Sequence, residues 1–167
     1  MNIFDKAFNE VIGFEGGYVN NPADKGGETK FGISKRSYPN VDIKNLTLDE
    51  AKEIYYKDFW NTKFIELSLI DDEAIAIELF DTGVNMGIKT ASKLMQESLN
   101  LMNRNQKDWN DLKIDGFCGF KTLRAYKKAR KAILLKVLNG MQFCKYKEIC
   151  ENDPTQETFF NGWMKRV

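Results

Sequence analysis

Histidine is absent from this sequence. That one absence removes Ser–His and Cys–His nucleophilic pairs, imidazole general bases and His-ligated zinc. Any chemistry must use carboxylates, hydroxyls, lysines or thiols. Cysteine is scarce: Cys118, Cys144 and Cys150 form an odd set without a Cys-x-x-Cys spacing. They signal neither a disulfide framework nor a zinc knuckle and read as buried, reduced thiols. Proline occurs only 3 times, which excludes Pro-rich linkers. No apolar run approaches the length of a membrane span, so stable membrane insertion is not expected. The first residues, Met1 to Lys6, carry neither the basic stretch nor the apolar stretch of a signal peptide. They predict synthesis in a reducing cytoplasm.

What is present is a globular composition. Apolar residues make up 43% of 167 residues and charged residues 29%, enough for one compact body with a core of its own. The 25 basic and 24 acidic residues nearly cancel, but they are unevenly placed. Nine bases and no acid fall between Gly116 and Lys147, which leaves the remainder at −8. Such a basic run points to an anionic partner, whether cell wall, nucleic acid or lipid headgroups, or else to a solvated helix face.

Ile3, Phe4, Ala7, Phe8, Val11, Ile12 and Phe14 recur at steps of three and four, which predicts an amphipathic helix over about residues 2–14. Residues 16–34 hold five of the 12 glycines together with Asn-Asn-Pro and Asp-Lys-Gly-Gly turn chemistry. They read as a small irregular β-hairpin, with Lys30–Ile33 as a strand. Thr47 and Glu50 have capping-box spacing ahead of a helix whose face is Ala51, Ile54, Tyr55, Phe59 and Trp60. Further helices are expected over 72–84, with Ala74, Ile75, Ile77, Leu79 and Phe80 largely buried, and over 89–100. After a loop at 115–119, one long basic helix is expected to about Ile149. There Leu123, Tyr126, Ile133, Leu134, Val137, Leu138 and Met141 keep phase, and Asp115 or Thr122 caps its start. Trp60, Trp109 and Trp163 read as structural.

The sharpest chemical constellation is Glu15, Asp24 and Thr29. A glutamate at a helix end is followed nine residues later by a second carboxylate and then by a hydroxyl, all within glycine-rich backbone that a polymer can approach closely. Cleavage of a glycosidic bond needs such a pair. One carboxylic acid protonates the leaving oxygen; the other stabilises positive charge or orients water. Phe14, Phe31 and the negative end of the first helix would raise the pKa of Glu15. The same residues also read as a solvated helix end and an ordinary turn. Tyr18 could stack on a sugar face or cover the hairpin. Asn85 could hydrogen-bond an N-acetyl group or cap a helix end.

The run from Glu15-Gly-Gly-Tyr18 through Asp24-Lys-Gly-Gly-Glu-Thr29 to Lys-Phe-Gly-Ile-Ser34 resembles the signature of glycoside hydrolase family 108, lysozyme-like N-acetylmuramidases found among phage endolysins. The second half resembles the peptidoglycan-binding region that accompanies it, through Phe80-Asp-Thr-Gly-Val-Asn-Met-Gly87, Asp115-Gly-Phe-Cys-Gly-Phe-Lys-Thr122 and Phe160-Asn-Gly-Trp163. A lysine stands at position 25, where the family pattern leads one to expect proline.

The resemblance implies a mainly α fold with a small β-hairpin (α+β), lysozyme-like and two-lobed. Residues 1–70 would form the catalytic lobe and 71–167 a helical lobe carrying the peptidoglycan-binding-like region, with a central helix between them. It implies cleavage of the β-1,4 bond between N-acetylmuramic acid and N-acetylglucosamine. Glu15 would be the general acid and Asp24 and Thr29 its partners, with no cofactor and no metal; Tyr18 and Asn85 are the candidate substrate contacts beside them.

Peptidoglycan is the expected partner of a monomer that acts at the wall after release, with a separate holin-type partner for export. Two other readings share the sequence: a lytic transglycosylase using Glu15 alone, and a non-catalytic wall-binding protein. The near-zero net charge and the acidic remainder weigh against a nucleic-acid partner.

Overall fold

The computed structural model describes residues 1–13, 17–20 and 27–167. Helix α1 (Ile3–Ile12) starts where the Asn2 side chain accepts the Asp5 N–H at 2.8 Å, and it buries Phe4, Ala7 and Phe8. It ends at Gly13, whose φ is 69° and whose N–H donates to the Asn9 carbonyl. Three short antiparallel strands follow, β1 (Val19–Asn20), β2 (Glu28–Lys30) and β3 (Ile33–Ser34), in the order β1-β2-β3.

The run Lys30–Ile33 is not a continuous strand. Lys30 pairs with Ile33, and Phe31 and Gly32 form a two-residue turn with φ of 52° and 74°. Positive φ at both positions suits the right-handed twist of the flanking strands. A β-carbon on Gly32 would sit 2.6 Å from the Tyr55 hydroxyl, which itself donates to the Phe31 carbonyl. Glycine is therefore required there both by conformation and by space.

Helix α2 (Leu48–Tyr55) begins with the expected capping box between Thr47 and Glu50. It runs on into a π-helical turn, Tyr56–Trp60, closed by Asn61 N–H donating to the Tyr56 carbonyl at 2.9 Å. That turn carries Trp60 into an aromatic cluster. The Phe80 ring lies 5.7 Å from Trp60, 6.1 Å from Phe4 and 6.2 Å from Tyr55, all in edge-on geometry.

Phe80 belongs to α3 (Glu73–Met86), which starts on an Asp72 cap and buries Ile75, Ala76, Leu79 and Phe80. Ala74, expected inside, is exposed, and Ile77 is half-buried, because the buried stripe follows 75/76/79/80. Helices α1 and α3 run side by side in one direction. Lys6 pairs with Glu73 at their starts, and Glu10 and Val11 face Ile77 and Asp81 a turn or two later.

Helix α4 (Ile88–Met102) turns back against α3 at Gly87 and also packs on α6. A β-carbon on Gly83 would meet Ile88 at 2.9 Å, so glycine lets the two helices meet. The expected long basic helix is two helices, α5 (Phe120–Lys128) and α6 (Lys131–Asn152), broken at Ala129 and Arg130, which have extended ψ of 146° and 107°. The Lys131 ammonium donates to the Tyr126 carbonyl at 2.6 Å and the Ala129 carbonyl at 3.3 Å, satisfying backbone acceptors that the break frees. The break resets the helical phase, and Ile133 is exposed.

The start of α5 lacks a side-chain cap. Asp115 instead accepts from the Phe117 N–H and the Gln96 amide, and Thr122 is buried. Helix α7 (Glu157–Trp163) closes the chain, with Trp163 stacked on Tyr146 at 4.8 Å. Cys118 and Cys150 are buried free thiols, but Cys144 is exposed.

The hairpin turn yields a direct test. Gly32→Ala combines a left-handed backbone with a β-carbon only 2.6 Å from the Tyr55 hydroxyl. It should lower stability by about 1–3 kcal/mol, read as a lower urea midpoint at unchanged m-value. An unchanged midpoint would mean that the turn is not held in this form.

Candidate active site

Two of the expected site residues, Glu15 and Asp24, lie outside the described residues. Glu15 falls in the chain between α1 and β1, and Asp24 between β1 and β2. The other three are described. Thr29 sits mid-strand in β2, half-buried and opposite Val19 on one side and Ser34 on the other. Its hydroxyl is 3.5 Å from the Gly27 carbonyl, a contact too long to hold it firmly.

Tyr18 is exposed just before β1. Desolvation, together with hydrogen bonding to the Glu28 carboxylate and repulsion from it, pushes its phenol above the ordinary value. The sheet thus gathers Tyr18 and Thr29. Asn85 stands apart on the last turn of α3, exposed, with its amide donating to the Asp81 carbonyl at 2.8 Å and carboxylate at 3.1 Å. It folds back on its own helix rather than capping its end.

Beneath Asn85 lies a polar network that the sequence reading missed. Glu78, Asp81 and Thr82 are buried on α3, in the middle of an apolar helix. Gln142 of α6 is fully buried, and its amide nitrogen spends both hydrogens, on Asp81 at 3.0 Å and on Thr82 at 3.2 Å. Arg166, near the chain's end, pairs with Asp81. Thr82 donates to Glu78 at 3.3 Å. The only signal in the sequence was two acids three residues apart, on the face where the apolar period demands core.

Two buried carboxylates thus lie side by side, and only Asp81 is paired with the guanidinium. Burial and repulsion from Asp81 push the Glu78 carboxyl up to about 7. Burial also pushes Asp81 up, against the opposing pull of Arg166, Gln142 and Asn85. Glu78 is only 7% exposed and lines the pocket between α1, α3 and the chain's end, with Glu10, Asp81 and Arg166. Among the described residues no cluster of three histidine, cysteine, aspartate or glutamate side chains stands ready for a metal, and no helix is long and apolar enough to cross a membrane.

A mostly helical body with a small three-stranded sheet between its first two helices defines a lysozyme-like fold. The comparisons agree. Residues 8–87 match the family model described as Glycosyl hydrolase 108, and residues 90–167 match the one described as Predicted Peptidoglycan domain. The solved structure titled "Structure of Brucella abortus SagA" is 27% identical, with a TM-score of 0.71, covering 98% of this chain and 88% of that one. No curated protein matches. The glycosyl hydrolase 108 model over the first half of the chain and the peptidoglycan model over the second together support a lytic enzyme acting on peptidoglycan.

The network makes two predictions. Arg166→Met leaves Asp81 buried without its cation and should cost about 3 kcal/mol or more, measured by denaturant unfolding; a loss below 1 kcal/mol would mean that the pair does not fasten the chain's end. The second concerns pH. Glu78 ordinarily titrates near 4.5 but at about 7 in the fold. Below 4.5 it is protonated in both states and costs nothing. Between 4.5 and 7 the unfolded chain releases the proton while the folded one keeps it, so stability falls as pH rises, by about 3 kcal/mol at most. No histidine titrates in that window to blur the slope. Glu78→Gln should flatten the curve and be the more stable form at pH 8. A wild-type curve that is already flat would place the Glu78 proton elsewhere.

Proposed function

We propose that the chain is an N-acetylmuramidase, hydrolysing the β-1,4 bond between N-acetylmuramic acid and N-acetylglucosamine. The observation that carries this reading is the Glu15-Gly-Gly-Tyr18 motif, standing in the chain between α1 and the first strand of a hairpin inside a segment of the glycosyl hydrolase family.

In this mechanism the Glu15 carboxylic acid donates its proton to the bridging oxygen as the bond breaks and positive charge develops on the sugar ring. Asp24 stabilises that charge or orients the attacking water. The Thr29 hydroxyl, loosely held by Gly27, is free to hydrogen-bond that water. Tyr18 offers an exposed aromatic face to a sugar. Asn85 keeps its side-chain carbonyl oxygen for an N-acetyl N–H, since its amide nitrogen is committed to Asp81.

The test is digestion of purified peptidoglycan by wild type and Glu15→Gln, with the products read by mass spectrometry. Reducing-end muramic acid from wild type is expected, and a loss of about 10²–10⁴-fold in the variant, which should fold normally. Anhydro-muramic ends would instead make the enzyme a lytic transglycosylase and remove the role of Asp24. No products from folded wild type on accessible wall would leave a wall-binding protein.

A further inference from the structure

Between the end of α4 and the start of α5 the chain makes a loop that is held in one shape. Arg104, Asn105 and Gln106 have φ of 52°, 59° and 62°, so successive non-glycine residues sit in the left-handed region. Such backbone persists only where its surroundings fix it, and here two asparagines do so. Asn103, 3% exposed, accepts the Gln106 N–H at 3.0 Å and donates to the Asp111 carboxylate at 2.6 Å. Asn100 accepts the Leu112 N–H at 2.7 Å and donates to the Leu112 carbonyl at 2.8 Å. The Lys128 ammonium ties the loop to α5 by donating to the Asp108 carbonyl at 3.1 Å.

Between this loop and α5 lies a cavity of about 530 Å³. Lys121, Arg124 and Lys128 line it from one face of α5, at steps of three and four, and Lys107 lines it from the loop. Two acids line it as well, Asp108 and Asp111. The Asp108 carboxylate is matched by the Arg104 guanidinium, which is outside the lining, at 2.6 and 2.5 Å. Asp111 holds the Asn103 amide. None of the lining cations forms an ion pair among the described residues. They outnumber the one carboxylate left without a cation of its own, so the cavity carries an excess of positive charge.

We propose that this cavity binds the phosphoryl group of a sugar or polyol phosphate, the repeating anion of phosphodiester-linked wall polymers. A carboxylate is planar and is satisfied by a single guanidinium fork; it would leave the ammoniums unmatched. A phosphoryl group offers oxygens in several directions, which suits a fork and ammoniums that reach the cavity from two elements. The volume leaves room for a sugar or polyol beside the phosphate. Nucleic acid bases need exposed aromatic faces to stack on, and the one aromatic residue in the lining, Trp109, is half-buried. The ligand is thus distinct from peptidoglycan, whose acidic groups are carboxylates. Placing the polymer in the wall rests on the reading of the chain as an enzyme acting on peptidoglycan; the affinity for phosphate does not.

The test is amide NMR of the whole isotope-labelled chain at constant ionic strength, titrated with glycerol 3-phosphate, with acetate and with N-acetylmuramic acid. Saturable shifts confined to residues 106–112 and 121–128 are expected with glycerol phosphate, at a concentration about tenfold or more below that for either carboxylate. Lys121→Gln/Arg124→Gln should weaken phosphate binding about tenfold or more. Lys145→Gln/Lys147→Gln, which removes cations already paired with Glu148 and Glu151, should leave it unchanged. Circular dichroism checks that each variant is folded.

The absence of saturable shifts overturns the proposal, as does equal affinity for the carboxylates. An equal loss in the α6 variant overturns it in favour of diffuse charge. A poly(glycerol phosphate) chain should bind more tightly than single-stranded DNA with the same number of phosphates; equal or tighter binding of the DNA overturns it in favour of a nucleic acid. Reducing ends released from sacculi stripped of phosphodiester polymers report separately on the hydrolase reading. Release without phosphate binding would sink the cavity proposal alone, and phosphate binding without release would sink the hydrolase reading alone.

Discussion

A helix enclosed on several sides should be apolar on several sides, and α3 is not. It lies against α1, α4 and α6 and still buries Glu78, Asp81 and Thr82. Two carboxylates cannot be taken out of water without compensation. The fold compensates with groups drawn from far along the chain: Gln142 from α6 and Arg166 from beyond α7. Such an arrangement adds little net stability over an apolar core, but it is specific. It binds the last residues of the peptidoglycan domain to the central helix of the hydrolase segment. The two matched segments share one core in consequence, with Leu134 and Leu138 in the same cluster as Phe8 and Phe80.

The direction of α3 organises the function. Because α1 lies alongside it in the same sense, the end of α1, where the Glu15 motif follows, and the end of α3, where Asn85 stands, are at one end of the molecule. The helix starts at the opposite end, where the Tyr126 hydroxyl donates to the Asp71 carboxylate and accepts the Asp72 N–H at 3.1 Å. Along the shared length the contacts run from the exposed Lys6–Glu73 pair to the edge-on rings of Phe4 and Phe80 in the core.

Much of this was legible in the residues. The periodicity of Phe4, Ala7 and Phe8, the Thr47–Glu50 box and the span of the central helix each depend on local rules, and each was read correctly. The misreadings have tertiary causes. No local rule separates a strand from a hairpin turn at Phe31-Gly32, because what fixes it is the Tyr55 hydroxyl, 24 residues away. Nothing in the helical period of 121–149 announces a break at Ala129, where the replacement partner is a lysine side chain reaching back to carbonyls. The Glu78–Asp81–Arg166 network was invisible for the same reason: Arg166 and its partner Asp81 are 85 residues apart. The carboxylate pair of the proposed chemistry, Glu15 and Asp24, rests on the motif, while Thr29, Tyr18 and Asn85 have places in the fold.

The broken basic helix also changes what the charge means. As one rod, its nine cations would form a diffuse patch, screened by salt and shared with the solvent. Divided, Lys145 and Lys147 of α6 are paired with Glu148 and Glu151, and Lys131 is folded over Tyr126 at 4.0 Å. Arg124 and Lys127 stand on α5 on the face that carries the exposed Phe120.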